Sequence, residues 1–235
     1  MLMKIGIYNI LIFFFKFVNF FTIKKIKYNK NLTTKLNLGC GLEVHKNYIN
    51  VDFSPHAFLA NFPDFIKKRL FSISGASKYY SVEEYLNIIN NHKFLYYDLT
   101  KSIPAENKSV DAIYTSHFLE HIDYEDAKEF IKECFRALRD NGIIRISIPD
   151  LDIAKKQLND GNNYETLKKF FFTYENNNDF SRHKFMYNFV SLKKLLEDCG
   201  FAQVSKCEYK KGNLEEAKYL DNREDESLFV EAIKK

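Results

Sequence analysis

An α/β fold on a seven-stranded, mostly parallel sheet flanked by helices is what this sequence predicts, and three observations predict it. From Lys35 onward the apolar runs are short and rich in strand-forming residues; helical patterns separate them; and at 235 residues the chain has room for one sizeable domain and no second. Hydrophobic residues make up 46% and charged residues 28%, which suits a packed core and excludes a disordered or collagen-like chain.

Residues 1–34 stand apart as an amphipathic, basic N-terminal segment, with the domain proper at 35–235. Seven lysines and no acid fall in residues 1–35, so of a net charge of +4 the remaining 200 residues carry +4 − 7 = −3. The apolar stretch Ile5–Ile23 is broken by Asn9, Lys16 and Asn19 and followed by Lys24, Lys25, Lys27 and Lys30. A central lysine costs about 2.5–3.5 kcal/mol in a membrane span, which counts against a transmembrane helix. No small-residue cleavage site marks a secretory signal. An interfacial helix needs only the apolar face and the basic flank, so peripheral association with an anionic membrane surface is the preferred reading, beside the plainer one that these residues pack on the domain. Nucleic-acid binding is a poorer account, because the lysine run is short and the body is acidic.

Strands are expected at Leu36–Leu38, Tyr48–Val51, Phe94–Tyr97, Ala112–Thr115, Ile143–Ile148, Val204–Tyr209 and Leu228–Ile233. Between the second and third, residues 53–92 are long for a connection and carry Phe58, Leu59, Phe62, Phe65, Ile66, Leu70 and Phe71, which predicts a helical insertion of the kind that forms a lid. Ser81 with Glu84 is a capping-box pattern for a helix to about Asn90. Between the fourth and fifth strands Ala127, Phe130, Ile131, Cys134, Phe135 and Leu138 share one helical face, with Asp123 as cap and Asn141-Gly142 as stop. Ser191 opens a last helix that Gly200 ends. Cys40, Cys134, Cys199 and Cys207 are scattered, with no CxxC pair, so a reducing, cytoplasmic setting is expected.

The chemistry-bearing pattern is Lys35-Leu-Asn-Leu-Gly39-Cys40-Gly41, a strand ending in two close glycines, followed by Ile49-Asn-Val-Asp52, a strand ending in an acid. Glycines let backbone approach a ligand, and an acid at the second strand's carboxyl end accepts both ribose hydroxyl protons. A third glycine is absent and the acid follows Gly39 by 13 residues rather than about 20, which disfavours a dinucleotide.

These segments resemble the cofactor loop of class I S-adenosylmethionine-dependent methyltransferases. Tyr97-Asp98-Leu99 resembles the adenine-contacting acidic position after the third strand. Ser116-His117-Phe-Leu-Glu120-His121 is similar to the segment after the fourth strand of the type 11 methyltransferases, and His183-Lys-Phe-Met-Tyr187 and Ser227-Leu-Phe-Val-Glu-Ala232 to a bacterial subgroup often linked to surface-polysaccharide synthesis. The resemblance covers residues 35–235. It implies a Rossmann-like sheet with an antiparallel last strand and methyl transfer to a small-molecule or glycan-type acceptor, a hydroxyl in the first place, on the inner face of the membrane or free in the cytoplasm. It places Gly39, Cys40 and Gly41 at the methionine part of the cofactor, Asp52 at the ribose, Asp98 and Leu99 at the adenine, and Ser116 and His117 beside the sulfonium. It assigns no metal. A sugar hydroxyl needs a base, for which His117, Glu120, His121 and His183 are the candidates and His117 the preferred one. A structural role for His117 and His121 stays open, and Cys40 reads as a small residue in a tight loop.

Two other classes remain. His117-x-x-Glu120-His121 fits the inverted zinc-peptidase signature, which requires both histidines on one helical face and a downstream glutamate such as Glu165, Glu175 or Glu197. A non-catalytic, membrane-tethered binder of the same fold has no positive support in the sequence.

Overall fold

A computed structural model describes residues 26, 27, 29, 32–72, 74–161, 163–171 and 182–235. Most of the basic N-terminal segment therefore lies outside the described residues, as do Phe172 and Glu175. Ile26 is described: it bridges to Ala105 and packs against the main core.

In chain order the elements are β1 (Lys35–Leu38), β2 (Ile49–Asp52), α1 (Pro55–Leu59), α2 (Asp64–Leu70), a single turn at Ala76–Lys78, α3 (Val82–Asn91), β3 (Lys93–Tyr96), β4 (Val110–Ser116), a turn at Leu119–His121, α4 (Tyr124–Ala137), β5 (Leu138–Pro149), α5 (Leu151–Asn159), α6 (Asn163–Thr166), a wide turn at Leu167–Phe171, α7 (Phe189–Asp198), β6 (Ala202–Cys207), α8 (Ala217–Leu220) and β7 (Ser227–Ile233). The seven strands form one sheet in the order β3-β2-β1-β4-β5-β7-β6. The first five run parallel, and β7 lies antiparallel between β5 and β6. Strand order reverses between β1 and β4, and the carboxyl ends that meet there are where open α/β sheets bind ligands.

All seven expected strands are present; in the central ones Leu36, Leu38, Ile144, Ile146 and Ile148 are fully buried and alternate with buried polar residues such as Asn37 and Arg145, so both sheet faces are covered. The main core joins Leu36, Leu38, Ile113, Ile144, Ile146 and Val230 of the sheet to Ala127, Phe130, Ile131 and Cys134 of α4 and Leu192, Leu195 and Leu196 of α7. The helical insertion is also present. Its Ala76, Tyr85 and Ile89 form a small core of their own, against which Leu42 of the glycine loop packs.

Four details differ from expectation. α4 stops at Ala137, so Leu138 belongs to β5, which begins five residues before Ile143. Asn141, at φ +63, bends that strand instead of ending the helix, and Gly142 is required because a Cβ there would lie 2.8 Å from the Arg139 carbonyl. Asp123 sits at the cap of α4 without capping it; its carboxylate accepts from Lys184 Nζ at 2.9 Å. Asn188 caps α7 in a reciprocal pair with Ser191, which is the third residue of that box. β6 ends at Cys207, because the left-handed Lys210 turns the chain just beyond, leaving Tyr209 outside the ladder. At the sheet edge only one face is buried, so a two-residue shift keeps the same pattern and the sequence does not resist it.

Candidate functional site

β1 delivers the chain into Gly39 (φ +69) and Gly41 (φ +52). A Cβ on Gly39 would lie 2.6 Å from the Phe118 ring, while one on Gly41 would meet nothing within 4 Å. The first glycine is therefore demanded by packing, and the second keeps open space clear. Gly39 N–H donates to the Val51 carbonyl at 2.9 Å, tying the loop to β2. The Asp52 carboxylate accepts from Gly41 N–H at 2.8 Å and from Ser54 N–H at 2.6 Å. One bond falls on each oxygen, which leaves lone pairs on both for a further donor. The far side of the loop is held by two residues the sequence did not single out. Asn37 and Asn50, register partners on β1 and β2, are both buried; Asn37 Nδ2 donates to Asn50 Oδ1 at 3.1 Å and to the Glu43 carbonyl at 2.8 Å. Two asparagines at matching places in neighbouring strands were their only signal.

The Cys40 thiol is raised well above its usual range by burial, with the Asp52 charge adding to it, so it stays neutral and unreactive. Asp98 follows β3 beside the end of β2, where Tyr97 N–H donates to the Asp52 carbonyl at 3.0 Å. Its Oδ1 accepts from Thr100 Oγ1 at 2.6 Å and Thr100 N–H at 3.2 Å. The Leu99 side chain is in the main core, so only its backbone is open to a ligand. His56 of α1, absent from the sequence reading, is half-buried near Asp52; desolvation lowers its pKa and the Asp52 charge partly restores it.

At the end of β4, Ser116 Oγ donates to Asn222 Oδ1 at 3.4 Å. His117 then takes a left-handed conformation, φ +48, with its N–H donating to the Ser147 carbonyl at 2.9 Å. Such a conformation in a histidine costs of order 1–3 kcal/mol and persists where surroundings over-determine it. Its ring is so held: Nε2 lies 2.9 Å from Ser227 Oγ, and Nδ1 lies 3.2 Å from Glu120 Oε1 and 3.4 Å from Arg223 Nη1.

The turn at Leu119–His121 directs Glu120 inward, where it is 0% exposed. Its Oε1 is 3.8 Å from His121 Nε2 and 4.0 Å from His183 Nε2. Burial pushes the Glu120 carboxyl up, and the hydrogen-bonding and charge of His117, joined by His121, more than offset that, so it lies below its usual range. His183 is pushed down by its own burial. The four candidate bases thus form one cluster, although a residue as enclosed as Glu120 does not reach an acceptor itself. The peptidase geometry is absent among the described residues: His117 follows the end of β4 and His121 lies in a single turn, so no helix carries both. A cavity of about 210 Å³ opens beside the cluster, lined by Pro149, Lys169, Phe170, His183, Arg223 and Glu226.

A family model described as a methyltransferase domain matches residues 33–206. Among solved structures, a SAM-dependent methyltransferase from Archaeoglobus fulgidus shares the fold at a TM-score of 0.50 and 17% identity, covering 88% of each chain. The S-adenosylmethionine-dependent methyltransferase SibL, in its apo form, is similar at a TM-score of 0.50 and 12% identity over 86% of this chain, which spans 50% of SibL. No curated protein matches. At these identities the solved structures speak for the fold, and the family rests on the domain match across most of the chain. The chain belongs to the methyltransferase-domain family.

Proposed function

We propose that this enzyme methylates a hydroxyl group of a small-molecule or glycan-type acceptor, with His117 receiving the hydroxyl proton. The observation that carries this reading is the bracing of His117, a strained residue at the carboxyl end of β4 whose ring lies against Glu120 and Arg223 through one nitrogen and Ser227 through the other.

The residues present fit the cofactor. Gly41 leaves open space at the loop, and both oxygens of Asp52 keep acceptor capacity for the ribose hydroxyls while holding the loop amides. On this reading Gly39, Cys40 and Gly41 carry the methionine part, Asp98 and the Leu99 backbone the adenine, and Ser116 the approach to the sulfonium. When bound, the cofactor supplies a methyl group on a positively charged sulfur, already activated for in-line displacement.

The protein's part is positioning and proton removal. With Arg223 turned away from Nδ1 and the Nδ1 proton given to Glu120, His117 presents Nε2 as the basic nitrogen toward the Ser227 hydroxyl, whose place an acceptor hydroxyl would take. Lys169, Arg223 and Glu226 give the adjoining cavity a polar, charged wall suited to a hydroxyl-rich ligand. A glycan precursor at the membrane is the preferred acceptor, since it would also employ the basic segment of residues 1–34.

His117→Ala tests the assignment. Turnover with labelled S-adenosylmethionine and a panel of sugar acceptors should fall by about 100-fold or more while cofactor affinity changes little. Equal losses in both would assign His117 to cofactor binding.

A further inference from the structure

We propose that Glu120, His121 and His183 form a binding site for one divalent transition-metal cation of the zinc class, bridging the turn after β4 to the segment that leads into α7. The donor atoms of the three residues all lie within 4.8 Å of one another. Zinc at about 2.0–2.2 Å from nitrogen and oxygen ligands in tetrahedral geometry wants them roughly 3.4 Å apart. From the observed 3.8 and 4.0 Å, side-chain adjustment suffices.

The hydrogen bonds around the two histidines make the case specific. His121 Nδ1 lies 3.2 Å from the Arg182 carbonyl, and His183 Nδ1 lies 2.6 Å from the Phe170 carbonyl. A carbonyl only accepts, so each Nδ1 carries a ring proton, and each Nε2 is the nitrogen turned toward Glu120. Backbone carbonyls anchoring the far nitrogen in this way are the usual support of metal-ligating histidines. Glu120 supplies the second half. Both of its oxygens are buried, and neither has a well-aligned hydrogen-bond donor among the described residues. His117 Nδ1, at 3.2 Å from Oε1, supplies one positive neighbour at most.

Three electron-pair donors thus face a common point that calls for positive charge. Two nitrogens and one carboxylate oxygen suit zinc, and three protein ligands leave a fourth coordination place. His183 also lines the cavity beside the cluster. The site does not depend on the identity of the methyl acceptor.

The test uses the full, untagged chain, freed of metal with a chelator and titrated separately with Zn²⁺ and Co²⁺. Expected are one equivalent bound by elemental analysis, visible Co²⁺ bands of a low-coordinate site, and a higher melting temperature. His121→Asn and His183→Asn should each weaken binding by about 100-fold or more, since even supporting residues around a metal site are worth 10–100-fold. His45→Asn, away from the cluster, should leave it unchanged. S-adenosylmethionine binding, measured on each sample, reports that the domain is folded. Failure of the cofactor-competent wild type to bind either metal would overturn the proposal, as would undiminished binding in His121→Asn, the more exposed of the two ligands.

Discussion

Arg145 and Asp221 form a fully buried, two-pronged ion pair, with Nε 2.9 Å from Oδ1 and Nη2 2.5 Å from Oδ2. Glu231, the register partner of Arg145 on β7, adds a bond from Nη1 at 2.8 Å. The guanidinium also donates to the Lys211 and Glu208 carbonyls, and Asp221 accepts from Lys210 N–H. This network joins the sheet to the site, because Asn222 and Arg223, which touch Ser116 and His117, follow Asp221 directly.

Removing one partner of a buried pair strands the other charge, at a cost of about 3–5 kcal/mol. Asp221→Ala should lose that much in urea unfolding, and Arg145→Met should do the same by stranding two carboxylates. A loss under about 1 kcal/mol in either would mean that water or rearrangement replaces the pair.

Lys35, at the start of β1, holds Glu216 at 2.5 Å. Burial pushes the Glu216 carboxyl up, and Lys35 more than compensates, so its folded pKa lies below the ordinary 4.5. A depressed carboxylate pKa contributes stability above the unfolded value that is lost as pH falls through the folded one. Unfolding free energy should therefore drop between about pH 5 and 3, less steeply in Glu216→Gln than in the parent. Parallel curves would remove Glu216 from the acid response.

The two glycines of the loop should separate folding from binding. Gly39→Ala forces a Cβ into Phe118 and a left-handed conformation together, so both melting temperature and cofactor affinity should fall. Gly41→Ala meets no atom, so its stability loss should stay near the roughly 1–2 kcal/mol of left-handed strain while affinity drops as the methyl occupies ligand space. Unchanged affinity in Gly41→Ala would move the cofactor away from this loop.

Among the described residues no helix is long and apolar enough to cross a membrane. If the basic segment lies on an anionic surface, the full chain should sediment with vesicles containing phosphatidylglycerol, and a chain lacking residues 1–30 should not. Equal partitioning of the two would assign the segment no membrane role.

The sheet was legible because its strands are short runs rich in strand-forming residues between helical periods, and the central parallel strands are buried on both faces. The loop was legible because Gly39, Gly41 and Asp52 are close in sequence at the ends of two successive strands, although the packing of Gly39 on Phe118 was not. Where one helix ended and β5 began was not, since Leu138 is equally apolar as the end of a helix face and as the start of a strand. The Arg145 network was written only as a lone arginine within Ile143–Ile148 and a lone glutamate within Leu228–Ile233, and nothing local pairs them. His117, Glu120 and His121 stood together as a motif. That His183 joins them across 62 residues followed only from the resemblance, because long-range convergence has no periodicity to read.

The central claim is that the Gly39–Gly41 loop and Asp52 hold S-adenosylmethionine. Calorimetric titration of the wild type and Asp52→Ala tests it most directly. Binding of one equivalent, weakened in the variant by about 1–3 kcal/mol for the loss of charged hydrogen bonds, is the expected result. No binding to a folded wild type, or equal affinity in the two proteins, would contradict it.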